Sequence, residues 1–161
     1  TKLEDWSNAI NQNLLSSIMI TNAVFPTMAK KGFGRIIYLT STVAKEPAEN
    51  MVLSNVTRAG VAAFSKTLSR EIPANSGITV NTILTGGCKT DRFYSLIEQQ
   101  ASKSNETVDE VINRHSQNVP VGYFATPEEF SKTILFLASK DASYINGVAL
   151  PLDGGASRGV F

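Results

Sequence analysis

Cysteine is almost missing from this sequence. One thiol, Cys88, among 161 residues excludes an internal disulfide and a cysteine-rich zinc site. It points to a reducing compartment, the cytoplasm. Histidine is as scarce: His115 stands alone, in a polar segment, and reads as a surface residue and not a base. No metal site is expected. Long apolar runs are absent too. The longest, such as ILFLA at 134–138, are far too short to span a bilayer. An excess of charge of one sign is also lacking. Fifteen basic and fourteen acidic residues leave a net charge of +1, which gives no footprint for nucleic acid or an anionic membrane surface. Repeats and low-complexity tracts do not occur. What remains is an ordinary globular mixture, 42% hydrophobic and 18% charged, long enough for one domain with a core.

The pattern along the chain alternates between two periods. Trp6, Ile10, Leu14, Ile18, Thr21, Phe25 and Met28 recur every three or four residues and predict a helix from Leu3 to Lys31. Pro26 lies near its end, and Gly32 and Gly34 stop it. RIIYLTS, 35–41, predicts a strand buried on both faces. Helix is expected again from about Asn50 to Ile72, and ITVNTIL, 78–84, predicts a second buried strand. TGGCKTD, 85–91, forms a glycine-containing loop at that strand's end. Residues 92–116 predict two short polar helices split near Ser104–Thr107. Thr126-Pro-Glu-Glu is a helix start: a cap, a proline at the first position and a glutamate at the third. That helix runs to about Ser139, and GVALPLDGG, 147–155, closes with a short strand and a turn. This is the α/β alternation of a parallel sheet. Three strands are few for such a sheet, and the chain opens at once on a helix cap, so a piece of something longer is the expectation.

These residues resemble the later part of the short-chain dehydrogenase/reductase family. LEDWSNAINQNLLS, GRIIYLTSTVA, AFSKTLSREI with GITVNTILTGG, TPEEFSKTILFLAS and NGVALPLDGG carry the likeness. Each is weak alone, but five in order and at the right spacing are specific. The nearest flavour is the 3-oxoacyl-acyl-carrier-protein reductase or glucose-dehydrogenase type. The resemblance implies the C-terminal part of a doubly wound parallel-sheet, Rossmann-type domain, with NAD or NADP lying across the carboxyl edge of the sheet. Residues 1–161 form a single incomplete domain on this reading. The family's glycine-rich phosphate loop does not occur in the sequence, and neither does the residue that selects NAD or NADP. Three further strand-helix units, roughly 90 residues at about 30 each, would precede Thr1.

The resemblance also assigns the site. The family's catalytic group is Asn, Ser, Tyr and Lys, the last two as Tyr-x-x-x-Lys thirteen residues after the Ser. Asn13 matches the Asn and Ser41 the Ser. Ser54 stands where Tyr is expected and Arg58 where Lys is expected. Thr85 and Gly86 replace the family's Pro-Gly. Cys88 matches the residue whose backbone holds the nicotinamide carboxamide, and Thr90 a hydroxyl near the carboxamide or pyrophosphate. Residues 92–118 match the substrate lid. A small carbonyl or alcohol substrate and a homodimer or homotetramer are implied. The first helix and the helix from residue 50 would meet across subunits, through small residues 59–63.

The two replacements change the chemistry. A phenol, with an ordinary pKa of about 10, can be drawn toward neutrality by a nearby cation. A serine hydroxyl is a far weaker acid with a shorter reach, and it needs a base or relay of its own. Arg58 keeps the positive charge and, on the resemblance, can still hydrogen-bond the cofactor ribose, but it stays protonated, so it cannot shuttle protons. The bland readings stand beside these. Ser41 can be a turn residue, Ser54 a helix cap, Arg58 an ion-pair partner, Asn13 a buried hydrogen-bonding group and Cys88 a small packed residue. Two classes of function follow: an oxidoreductase with altered catalytic residues, or a reductase fold kept as a non-catalytic binding or assembly subunit. A third, weaker reading is a small-ligand binder without redox chemistry.

Overall fold

The computed structural model describes residues 1–160. Its sheet has three parallel strands, β1 (Gly34–Leu39), β2 (Ile78–Thr85) and β3 (Ala149–Leu152), in that spatial order. Gly34 lies opposite Ile78 and Leu39 opposite Ile83. Thr82 lies opposite Ala149 and Thr85 opposite Leu152. Parallel neighbours need crossovers. The helix α3 (Val52–Glu71) joins β1 to β2. Three helices, α4 (Asp91–Ser104), α5 (Val108–Ser116) and α6 (Pro127–Ala138), lie between β2 and β3.

The β2 strand is buried from Ile78 to Leu84, as its unbroken apolar run predicts. On one face Val80 packs with Ile36, Tyr38 and Val61 of α3, flanked by Leu14, Phe25 and Met28. On the other, Ile83 meets Leu137 of α6 and Ala142. Asn81 is fully buried in the middle of this strand. Its amide nitrogen donates to the Ile145 carbonyl at 2.9 Å, and its oxygen accepts from the Val148 N–H at 3.1 Å. A buried amide is tolerated here because both ends are paired, and the pairing anchors the approach to β3.

Three departures from the expected elements have physical causes. The strand expected over 35–41 starts at Gly34 and ends at Leu39. Thr40 still donates its N–H to Ile83 at 2.9 Å, but Ser41 instead caps a 3₁₀ turn, Thr42–Ala44. The single helix expected from Leu3 to Lys31 is broken into α1 (Leu3–Ala9), a π-helical segment (Ile10–Leu15) and α2 (Ser16–Lys31). Asn13 lies inside the π segment. Pro26 is accommodated within α2, which ends at Gly32 with φ 62°. Finally, a Cβ on Gly60 would come within 3.2 Å of Leu14 Cδ2. At that position α3 lies close against the π segment, a contact within the chain that the sequence pattern does not foretell.

The α4–α5 pair splits at Asn105, in the left-handed region with φ 56°. It carries its own cluster of Ile97, Ala101 and Val111. Thr126 and Glu129 form the predicted capping box, with Thr126 N–H to Glu129 Oε2 at 2.8 Å and Glu129 N–H to Thr126 Oγ1 at 3.3 Å. Among the described residues no helix is long and apolar enough to cross a membrane, and no group of three metal-ligating side chains occurs.

Candidate active site

The carboxyl ends of parallel strands face one way, so the loops that leave them converge on one edge. The segment after β1 and the segment after β2 form that edge here. Ser41 is extended, with φ −153° and ψ 156°, and its Oγ accepts from the Val43 N–H at a long 3.4 Å. One of its two lone pairs is thus used, and the O–H has no acceptor among the described residues. The α3 helix packs on this turn. Asn55 holds the intervening loop against α3, with Nδ2 donating to the Ala48 carbonyl at 2.8 Å and Oδ1 accepting from the Ala48 N–H at 3.4 Å. The sequence reading missed Asn55. Its signal was a polar side chain just inside a helix start, facing the preceding loop.

Ser54 is the third residue of α3, and Met51 occupies the cap position. Ser54 is therefore not the cap. Its Oγ has no hydrogen-bond partner among the described residues, so no base activates it. Arg58, one turn on, is half-buried. Its Nη1 donates to the Leu39 carbonyl at 3.3 Å, two residues before Ser41. Burial lowers its pKa first, and repulsion from Arg92 lowers it further.

Asn13 shares a groove of about 280 Å³ with Arg58, Ser17, Tyr38 and Thr40. The Asn13 amide nitrogen donates to the Ala9 carbonyl at 3.0 Å, and its own carbonyl accepts from Ser17 Oγ at 2.9 Å. The π segment arises where the backbone ladder is rearranged, and such turns recur at functional sites. Here the side chain serves the helix, and the backbone carbonyl faces the hydroxyl of Ser17. Ser41 and Ser54 do not line this groove.

Tyr38, the tyrosine nearest Ser41 in sequence, is no substitute for the missing phenol. It is buried, and its hydroxyl meets Thr21 Oγ1 at 2.5 Å. The Thr21 hydroxyl in turn donates a hydrogen bond to the Ser17 carbonyl at 2.7 Å. Burial raises the Tyr38 pKa, and the bond to Thr21 only partly offsets this. Lys45 and Glu46 also lie away from the chemistry. Glu46 Oε1 accepts from the N–H groups of Arg158 and Gly159 at 2.8 and 2.6 Å, and Lys45 reaches the Gly159 carbonyl at 3.5 Å.

The second loop is built mainly by backbone. Thr85 Oγ1 donates to the Thr40 carbonyl at 2.7 Å, which ties the ends of β1 and β2 together. Gly86 donates its N–H to Leu152 at 2.9 Å, and a Cβ there would lie 2.7 Å from Asp153. Cys88 forms a parallel bridge with Ala125. Its thiol pKa is pushed up by burial and then by Glu128 and Glu129, so it stays protonated and is no nucleophile. Thr90 caps α4 by accepting from the Phe93 N–H at 3.3 Å, which leaves its O–H free. Thr85 and Gly86 therefore fix the loop. Gly87 and Thr90 are exposed on it. A short polar loop with a free hydroxyl at a parallel sheet edge fits a nicotinamide ring with its carboxamide. Thr90 and the loop backbone would hold it, with Arg58 on the ribose side. His115 is not in the site: its Nε2 meets Gln100 Oε1 at 2.7 Å and joins α5 to α4.

Comparison with known proteins places the chain in a family. The model of the family described as enoyl-(acyl carrier protein) reductase matches residues 1–157. The 3-oxoacyl-acyl-carrier-protein reductase of Vibrio harveyi is 34% identical over 154 residues, 96% of this chain and 58% of that protein. The chain thus spans little more than half the length of that relative. L-Sorbose reductase from Gluconobacter frateurii, solved with NADPH and L-sorbose, superposes with a TM-score of 0.94 at 27% identity over 99% of this chain and 61% of that one. An NADPH-bound short-chain oxidoreductase from Pseudomonas aeruginosa PAO1, described as containing an atypical catalytic center, superposes at 0.84 with 28% identity, over 99% and 60% of the two chains. The three-stranded parallel sheet matches the C-terminal part of Rossmann-type structures. By sequence and fold, this chain belongs to the short-chain dehydrogenase/reductase family.

Proposed function

We propose that this chain carries the substrate side of an NAD(P)-dependent oxidoreductase acting on a small carbonyl or alcohol, with NADPH as the favoured cofactor. The carrying observation is Ser41: it stands at the carboxyl end of β1 with its O–H free to donate. The nicotinamide, when bound, supplies or accepts the hydride at the carbonyl carbon. Ser41 donates to the substrate oxygen and fixes the carbonyl. Arg58 supplies permanent positive charge where negative charge develops on that oxygen, which is the most effective use of a fixed cation. Thr90 and the backbone near Cys88 orient the ring. Asn13 and Ser17 organise the groove beside Arg58. The proton for the product alcohol comes from water, since neither Ser54 nor Arg58 releases one readily. The α4–α5 pair, with its separate apolar cluster, covers the substrate. Both NADPH-bound relatives support this reading, and the one with an atypical catalytic center bears on the lost Tyr and Lys. The test is oxidation of NADPH by the intact purified protein with a panel of ketones and aldehydes. Turnover that Ser41→Ala removes supports the proposal.

The second reading is a non-catalytic binding or assembly subunit. The observation in its favour is the unpartnered Ser54 hydroxyl. If wild type is inert and Ser54→Tyr with Arg58→Lys creates carbonyl reduction, the scaffold reading holds.

A further inference from the structure

At the amino end of the sheet, opposite the candidate active site, lies a cavity of about 570 Å³. It is bounded by the start of β1, the turn that enters β2 and the segment after α6. None of the residues lining it is acidic, and two are cationic, Arg35 and Lys140. Arg35 is the second residue of β1. Its Nε donates to the Ser139 carbonyl at 3.0 Å, and its Nη1 to the Gly34 and Gly77 carbonyls at 2.8 and 2.9 Å. The guanidinium also lies over the Phe33 ring, 4.5 Å from the centroid. These contacts fix the group but leave its charge unanswered, and Nη2 has no partner among the described residues. The Lys140 ammonium has none either. Among the described residues the one salt bridge is Arg114–Glu106.

Thr79 adds an independent observation. It stands opposite Arg35 in the register of β1 and β2, so the two side chains share one face of the sheet. Both line the cavity. Thr79 is 5% exposed, and its Oγ1 is buried without a partner. A buried hydroxyl is destabilising unless it is hydrogen-bonded. A fixed guanidinium, a free ammonium and an unpaired hydroxyl on one cavity wall all call for an anionic acceptor. Two cations without a carboxylate suit a dianion, and a phosphate group carries close to two negative charges near neutral pH.

We propose that this cavity binds a phosphate group, held by Arg35 and Lys140 with Thr79 and Ser143 as hydroxyl donors. From Arg35 to Leu39 is roughly 13 Å along the strand, at about 3.3 Å per residue. The ligand is therefore distinct from the cofactor and substrate at the carboxyl edge, and the site stands whether or not the protein is an oxidoreductase.

The test is titration of the intact protein with inorganic phosphate at constant ionic strength, read by amide NMR. Saturable shifts are expected at Gly34, Thr79 and Ser143, with Ser41 and Thr90 unmoved. Lys140→Gln should weaken binding by about tenfold, the size of one charge-assisted contact, and Lys140→Arg should keep it. Thr79→Val should also weaken binding. It should leave the phosphate-free protein as stable as wild type or more so in urea unfolding, because it removes an unpaired hydroxyl. A hydroxyl that serves the fold would give a loss of stability instead. Arg35 ties three carbonyls, so its replacement disturbs the fold, and the test rests on the other two positions. Tighter binding of glycerol 3-phosphate than of inorganic phosphate makes an organic monoester the ligand, and equal binding makes it the free ion; both support the site. No saturable shift, shifts confined to the carboxyl edge, or binding that neither Lys140→Gln nor Thr79→Val changes overturns the proposal. So does acetate that binds as tightly as phosphate.

Discussion

The two loops of the site are built on opposite plans. The loop after β2 is held by backbone. Gly86 is locked against Leu152 and Asp153, Cys88 bridges to Ala125, and Thr85 clips the ends of β1 and β2 together. The edge after β1 relies on side chains: the Ser41 hydroxyl, the unpartnered Ser54 and the half-buried Arg58. Backbone contacts survive a change of residue, because every residue brings the same N–H and C=O. Side-chain chemistry does not. On that plan the loop Thr85-Gly86-Gly87-Cys88 can hold its shape whatever its side chains, while the side chains at 54 and 58 decide the chemistry.

The sharpest way to break this contrast is to restore the family's side chains. Ser54→Tyr with Arg58→Lys should raise the rate of carbonyl reduction by about 10²–10⁴-fold, the range for a positioned general acid. Steady-state NADPH oxidation measures it. NADPH affinity should stay within a fewfold if the β2 loop holds the ring by backbone. Next in size, Ser41→Ala should lower kcat by about 10²-fold, the cost of removing one donor to a developing oxyanion, again with little change in NADPH binding.

On the backbone side the expected effects fall on stability first. Asn81→Ala should destabilise the chain by about 1–3 kcal/mol for each backbone group it leaves unpaired, read by urea unfolding. Thr90→Val should cost about 1 kcal/mol through the lost α4 cap and weaken NADPH binding as well, and Thr90→Ser should recover both. The smallest effect concerns Cys88. Burial and the glutamates Glu128 and Glu129 raise its pKa, so less thiolate exists in the folded protein than in the unfolded chain at the same pH. Alkylation by iodoacetamide near pH 8 should be slower in the native protein than in urea. The gap should close as pH rises through the folded pKa. The same sign means that Cys88 favours the folded state below the ordinary thiol pKa and loses that contribution at higher pH.

Much of this was legible in the sequence, because period and punctuation are local. The buried run ITVNTIL, the Thr126-Pro-Glu-Glu capping box and the terminating Gly32 each predict the observed element from residues a few positions apart. The π segment around Asn13 was not legible. Its residues recur much as in an α-helix, and only backbone bonds such as Ser16 N–H to the Asn11 carbonyl, five residues back, reveal it. The family register named Asn13, Ser41, Ser54 and Arg58 together, and the structure sets Asn13 and Arg58 on one groove while Ser41 and Ser54 lie outside it. Side chains whose role depends on a partner far along the chain are not legible from local pattern. Asn55 and Glu46 escaped for the same reason: each acts on a segment that only folding brings near.

The most direct test of the central claim is hydride transfer from 4-deuterated NADPH to a ketone panel, read by mass spectrometry of the product alcohol. The account predicts deuterium on the carbinol carbon with wild type, and labelled product accumulating about 10²-fold more slowly with Ser41→Ala. NADPH that binds but delivers no deuterium to any product, in a protein that Ser54→Tyr with Arg58→Lys makes active, would contradict it.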